Sequence, residues 1–378
     1  MVNNRVLILG HLAYIIMQFN IPCIKLLINM GYKVDVACNF NLEYNTLLTE
    51  EKIDNFKKEL DKLGCKYYQV DFHRSPAHIG MNLKAYKQVS SLLKKKNYKF
   101  VHCHSPIGGI IGRLACKKNN TKTIYTAHGF HFYDGAPTKN WLLYYPAEWI
   151  CSWYTDTLIT INKEDFDFAK RNLHARKVEY VPGVGVDLNK FCTGNTDIQT
   201  KRKEISIPDN MIWILNVGEL STRKNQEMLI RSVKNFPDVY LTIAGKGELE
   251  AEYIKLIREL GLEKQVKLLG FRTDISELCE ACDIFALPSI QEGLSVALME
   301  AMACGKPIVC SRIRGNEDLI DVKGGELFDP KDYDEIVKAI ENIKERDFRE
   351  LGNYNLEKVQ SFGLSSVMSY MKTIYEHY

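Results

Sequence analysis

From residue 5 to residue 328 the chain alternates short apolar runs with longer segments whose apolar residues recur at helical spacing, and this alternation constrains the fold most. Runs at 5–10, 33–38, 66–72, 100–104, 122–127, 157–161 and 177–181 read as short buried strands, and segments at 19–30, 52–63, 83–96 and 107–118 as helices. A second series follows, with strands at 211–217, 239–244, 266–269, 283–287, 307–310 and 325–328. Helices at 224–235, 248–260, 274–281, 293–303 and 332–345 separate them. Repeated βα units demand parallel strands covered on both faces. The expected fold is therefore α/β, with two doubly wound Rossmann-like domains facing a central cleft. The Gly/Pro-rich stretch Val181-Pro182-Gly183-Val184-Gly185-Val186-Asp187 marks the junction, giving domains 1–187 and 188–378.

A chain of 378 residues suffices for two full cores, and 46% hydrophobic with 26% charged residues leaves no room for extended disorder. No run of ~18 apolar residues is present, so no spanning helix is expected. The first ten residues read as a strand entering a loop and not as a signal peptide. Eleven cysteines are scattered through apolar runs, as buried thiols of a cytoplasmic protein would be. Charge is uneven: residues 1–188 hold 25 basic against 16 acidic side chains, and the remainder 25 against 31. The basic half either meets an anionic membrane surface or pyrophosphate group, or is a solvated lysine-rich face. Lys94-Lys95-Lys96 and Lys117-Lys118 close two expected helices, where the helix dipole also favours cations.

The segment most suggestive of chemistry runs from Glu292 to Glu300. It follows a strand and a Pro288-Ser289 break and leads to Cys304-Gly305-Lys306-Pro307. We expect a helix opening at the Gly293-Leu294 step, whose unpartnered amides would hold an anion. At ~1.5 Å per residue the two carboxylates would lie ~12 Å apart along the axis. A nucleotide sugar along that line places its diphosphate on Gly293, Leu294 and Ser295, with Glu292 near the sugar and Glu300 near the ribose.

The pattern Pro-Ser-x-x-Glu-Gly-Leu-(five)-Glu-Ala-Met-Ala-Cys-Gly-Lys-Pro resembles the donor signature of family 4 retaining glycosyltransferases of GT-B fold. The resemblance spans most of the chain and is strongest between about 211 and 310. It implies that the loop Gly218-Glu219-Leu220-Ser221-Thr222-Arg223-Lys224 binds the donor diphosphate through Lys224. The arginine that usually follows the glycine is Glu219 here, and Arg223, beside Lys224 on an expected helix, would point elsewhere. Gly245 in Gly245-Lys246-Gly247 and the backbone of Phe271-Arg272 are expected near the nucleotide. Gly10 would permit close approach to the diphosphate, although Gly-x-Gly-x-x-Gly is missing, which argues against a dehydrogenase. His128 ends a strand, where open α/β sheets place ligands, and resembles the family's sugar-contacting histidine. On the acceptor side stand His11, His104 and His131. His102 and His104 share a strand face without acidic partners, which favours packing or acceptor contact over metal ligation. The resemblance also implies that the last helix, around 364–377, crosses back to the first domain.

Other patterns are set aside. Asp165-Phe166-Asp167 lies in a helical stretch, where i and i+2 diverge. Cys279-Glu280-Ala281-Cys282 has no partner half-site and reads as core thiols. The aromatic segment 141–154 suits a core helix better than a membrane-facing one or a wall of an acceptor groove. The resemblance implies a retaining enzyme that moves a hexose or N-acetylhexosamine, from a UDP-sugar in the usual case, with Lys224, Glu292 and His128 as its catalytic residues. The acceptor is a lipid-linked (polyprenyl-diphosphate) saccharide in capsule, exopolysaccharide or O-antigen assembly, at the inner face of the plasma membrane. No metal, other cofactor or nucleic acid is expected. A nucleotide-sugar epimerase of the same shape and a non-catalytic binder are the alternatives.

Overall fold

The computed structural model describes residues 4–45, 48–73, 75–191, 194 and 196–378. The chain forms two compact units, Met1–Val184 with Val367–Tyr378, and Gly185–Ser366. The division falls after Val184 rather than after Asp187, and the last residues belong with the first unit.

In the first unit, strands β1 (Arg5–Leu12), β2 (Lys33–Asn39), β3 (Lys66–Gln69), β4 (Phe100–His104), β5 (Lys122–Ala127), β6 (Thr157–Thr160) and β7 (Lys177–Tyr180) form one parallel sheet in the order β3-β2-β1-β4-β5-β6-β7. The order of succession along the sheet reverses between β1 and β4, which pair in parallel with Val6 opposite Phe100 and Leu9 opposite Cys103. One hydrophobic cluster under the sheet includes Ile8, Ile24, Phe56 and Phe100 together with Val367, Met371, Ile374 and Tyr375 of the last helix. The other face packs Leu9, Val89, Ile111 and Tyr125.

The second unit holds β8 (Ile212–Val217), β9 (Val239–Ala244), β10 (Val266–Gly270), β11 (Ile284–Leu287), β12 (Ile308–Ser311) and β13 (Gly325–Phe328), ordered β10-β9-β8-β11-β12-β13 and also parallel. Its switch point lies between β8 and β11. Strands β9, β11 and β12 are buried along their whole length, as strands covered on both faces must be.

Five local expectations are corrected. Strand β1 runs past Gly10 to Leu12, and the helix expected over 19–30 spans Ile21–Asn29, preceded across Asn20 by a further helix, Ala13–Phe19. Lys224 closes a 3₁₀ turn, Thr222–Lys224, and Asn225 at φ 56° separates that turn from the helix Gln226–Ser232. The helix after β11 begins at Val296, three residues later than expected. In the helix Thr138–Ser152, Trp141, Tyr144 and Tyr145 pack on the core, but Leu142 (76% exposed), Leu143 and Ile150 face outward with Trp149 and Trp153. This segment is thus core on one face only.

Candidate functional site

In the second unit the loops after β8 and β11 meet at the switch point, where open parallel sheets place ligands. Lys224 Nζ lies 2.7 Å from Glu292 Oε1, and Arg223 NH1 lies 3.3 Å from Glu292 Oε2. Both cations therefore converge on one carboxylate, which corrects the expectation that Arg223 would diverge. The 3₁₀ turn and the left-handed Asn225 replace the α-helical first turn on which that expectation rested. Backbone ties hold the loops together: Ile290 N donates to Arg223 O at 2.9 Å, and Asn225 Nδ2 to Pro288 O at 3.1 Å. Burial pushes the Glu292 carboxyl up, but the charges of Lys224 and Arg223 and the bond from Lys224 outweigh it, and the net shift is downward.

Glycines let the surrounding loops cross. A Cβ on Gly218 would touch the Lys224 stem at 3.4 Å, and one on Gly245 (φ 158°) would run into Gly218 O. Gly315, at φ 77°, packs so closely on Gly293 that a Cβ would overlap its carbonyl oxygen. The neighbouring Arg314 Nε donates to Glu292 O at 3.3 Å. Neither Arg314 nor Gly315 is visible in the motif, because they follow the next strand and carry no local signal of the contact.

Ser295 is the N-cap of the helix Val296–Ala303, its hydroxyl accepting from Leu298 N at 3.3 Å. Glu292, Gly293 and the buried Leu294 therefore lie in the preceding loop rather than on the helix. Glu300 lies within the helix. No hydrogen bond or ion pair from the described residues reaches its carboxyl, and burial raises its pKa to about 7 against a small opposing effect of Lys190. A mostly buried carboxyl without a partner suits hydroxyl donors supplied by a ligand. Arg272 donates to Asp274 (Nε to Oδ1, 2.8 Å) and Glu204 (NH2 to Oε1, 2.7 Å), so its guanidinium is committed within the protein. Phe271 is largely exposed.

In the first unit His11, Ser105, Tyr125, His128, His131 and Tyr144 line a cavity of about 450 Å³ at the C-terminal ends of β1, β4 and β5. His11 Nδ1 is 2.6 Å from Ser105 Oγ. Ser105 takes φ 66°, a left-handed conformation rare for a residue with a side chain, and its hydroxyl donates to the carbonyl of His104. His104, at 2% exposure, does not line this cavity, contrary to its expected acceptor-side place. It sits behind His128, with Nδ1 3.3 Å from His128 Nε2 and Nε2 2.9 Å from Asn20 Nδ2. His102 is deeper still, 2.8 Å from both Tyr375 OH and Thr126 Oγ1. Burial lowers all three imidazoles, His102 to about 3 and His128 to about 4, so each is neutral at pH 7. Gly10 also has a packing role. It is inside β1, and a Cβ there would meet Ile16 Cδ1 at 2.7 Å, so the glycine admits the packing of the next helix. Asp165, set aside as a metal motif, instead accepts from Phe130 N at 3.0 Å and Asn162 Nδ2 at 2.9 Å, bracing the loop that carries His128 and His131.

Fold and site together define an α/β protein with a candidate site at the switch point of each sheet, one built around a carboxylate gripped by two cations and one lined by histidines. Comparison with known proteins supplies the family. The model of group 1 glycosyl transferases matches residues 197–357, and that of glycosyl transferase 4-like proteins residues 5–162. A protein bearing the name glycosyltransferase EpsD, from Bacillus subtilis (strain 168), is 32% identical over 387 residues, covering 99% of this chain and 97% of its own. The Escherichia coli UDP-Gal:alpha-D-GlcNAc-diphosphoundecaprenol alpha-1,3-galactosyltransferase is 31% identical over 274 residues, covering 69% of this chain and 70% of its own. Among solved structures, Anabaena Alr3699/HepE in complex with UDP superposes with a TM-score of 0.79 at 21% identity, covering 99% of this chain and 100% of its own. WaaG, a glycosyltransferase involved in lipopolysaccharide biosynthesis, gives 0.69 at 17% identity, with 98% and 99% covered. The chain belongs to the group 1, family 4 glycosyltransferases; it is a glycosyltransferase, and its fold is GT-B.

Proposed function

We propose that this glycosyltransferase moves a hexose or N-acetylhexosamine from a UDP-sugar to a saccharide carried on a polyprenyl diphosphate, with retention at the anomeric carbon. The supporting observation is the convergence of Lys224, Arg223 and Glu292 at the β8/β11 switch point, with Glu300, whose carboxyl no described residue pairs, on the following helix. The E. coli relative is named for a UDP-galactose donor and a diphosphoundecaprenol-linked acceptor, and Campylobacter jejuni relatives for diphospho-undecaprenol saccharides.

In this reading the departing UDP gains negative charge, and Lys224 stabilises it from the position in which Glu292 fixes the ammonium. The amides of Gly293, Leu294 and Ser295 line the diphosphate, Gly218 and Gly245 allow its close approach, and Glu300 accepts from the ribose hydroxyls. The acceptor oxygen bonds the anomeric carbon as that carbon's bond to the β-phosphate oxygen breaks on the same face, and the acceptor's proton passes to a phosphate oxygen. His128, neutral, exchanges hydrogen bonds with sugar hydroxyls. The reading assigns no metal or other cofactor and places the protein peripherally at the cytoplasmic face of the plasma membrane. Among the described residues no helix is long and apolar enough to cross a membrane.

The test is incubation of the purified protein with UDP-sugars and a polyprenyl-diphosphate saccharide, with NMR of the product. UDP release that requires the acceptor, with the donor's anomeric configuration kept, is the expected result. Inversion would overturn the mechanism, and isomerised donor without acceptor would overturn transfer itself.

A further inference from the structure

Beside the histidine-lined cavity the first unit carries a second, larger hollow of about 610 Å³, within the ~300–1,000 Å³ range of ligand sites. It is a trough between two helices. Ile79, Leu83 and Tyr86 line one wall at helical spacing on the helix Ile79–Lys96, and Ile107, Ile111 and Leu114 the other on Pro106–Lys118. Ile79 is 75%, Leu83 51% and Leu114 38% exposed. The second wall extends ~16 Å from Ile107 to Lys118.

The ends of the trough differ in character. At one end Pro76 and Ile107 line both hollows, so the trough adjoins the cavity of His11, Ser105, His128 and His131. This mouth is also the N-terminal end of the Pro106–Lys118 helix, where the helix dipole favours an anion. At the far end stand Lys117 and Lys118, with Lys118 Nζ 5.9 Å from the centre of the Tyr86 ring. Lys94, Lys95 and Lys96 close the partner helix.

We propose that this trough holds the first isoprene units of the acceptor's polyprenyl diphosphate, with the diphosphate at the Pro106 end and the saccharide in the adjoining cavity. The inference rests on the acceptor class given under Proposed function and assigns that lipid a binding site. A branched, unsaturated chain attached to a dianionic group needs an apolar channel that begins at an anion-favouring mouth. The lysines at the other end face the anionic headgroups among which the chain re-enters the bilayer. A neutral alkyl ligand would have no use for either end.

Photolabelling of the full chain in detergent with a farnesyl diphosphate bearing a terminal benzophenone tests this directly. Label should map to 79–86 and 107–118, displaced by undecaprenyl diphosphate but not by equimolar dioleoylphosphatidylglycerol. Leu83→Glu and Leu114→Glu, both at partly exposed positions, should each lower labelling about tenfold or more. Leu142→Glu, on the other exposed apolar helix face, should leave it unchanged. Label on the Thr138–Ser152 helix, equal displacement by phosphatidylglycerol, or undiminished labelling of both trough variants would overturn the proposal. The readout involves no sugar transfer. Failure of the proposed transfer reaction would appear as no turnover with the label still in the trough, and failure of the trough as turnover with the label elsewhere.

Discussion

Glu292 and Glu300 belong to one motif but face opposite electrostatic conditions. Glu292 is largely buried yet held below the usual range by Lys224 and Arg223, so its contribution to stability is present above the ordinary glutamate pKa and is lost as pH falls below it. Glu300 runs the other way. Raised to about 7, it favours the fold most at low pH, and that contribution falls as pH rises from the ordinary ~4.3 towards 7. Hydroxyl donors from a ribose stabilise the ionised form, so UDP affinity measured by calorimetry should strengthen from pH 5.5 to about 7 and then level off. Glu300→Gln should retain only the titration of the nucleotide phosphate itself and bind UDP more weakly; an unchanged pH profile would reject the ribose assignment. Lys224→Ala should lower kcat by about 10²–10³-fold with a smaller change in donor KM, read from initial rates. The two glutamates and Lys224 were legible because their spacing lies within single βα turns. Arg314 and Gly315 were not, since a contact made from beyond the next strand leaves no trace in local pattern. Arg272 stood in the right loop, but nothing nearby in sequence disclosed that Glu204 would engage its guanidinium.

Elements were readable in kind and less so at their ends. Both sheets follow from the alternation of apolar runs and helical periods, because that pattern reflects burial on two faces. The Val296–Ala303 helix starts later than the Gly293-Leu294 step suggests, because the extended Ser295, whose hydroxyl accepts from Leu298 N, is its cap. Ser295→Ala should cost about 1 kcal/mol in denaturant unfolding. The turn at 222–225 hinges on Asn225 entering the left-handed region, a choice that apolar periodicity does not record. Gly315→Ala combines a positive φ with overlap on Gly293 and should weaken UDP binding measurably in a thermal-shift titration. Gly261→Ala, also at positive φ (69°) but facing open space, should leave that affinity unchanged. Packing of the Pro106–Lys118 helix against Thr138–Ser152 rests on a fully buried pair, Arg113 NH2 to Glu148 Oε2 at 2.8 Å, under the ring of Tyr125. Glu148→Ala strands that guanidinium and should destabilise the protein by about 3–5 kcal/mol.

At the scale of the molecule, the feature hardest to read from pattern was which core the last helix completes. Its amphipathic stripe announces a partner without naming one; the family resemblance implies the first domain, and there Tyr375 stacks on Phe100 and bonds to His102. Tyr375→Phe should cost about 1–3 kcal/mol, with His102 left short of a partner, and calorimetric unfolding checks it. Charge is likewise a property of the whole: the basic half identified from composition is the half whose trough ends in lysines. Because residues 367–378 close the first unit while the second unit precedes them in the chain, a ribosome must translate the entire second unit before the first can complete its core. A nascent chain stalled anywhere before Val367 therefore leaves uncovered the part of the first core that Val367, Met371, Ile374 and Tyr375 close, including the face of Phe100 on which Tyr375 stacks.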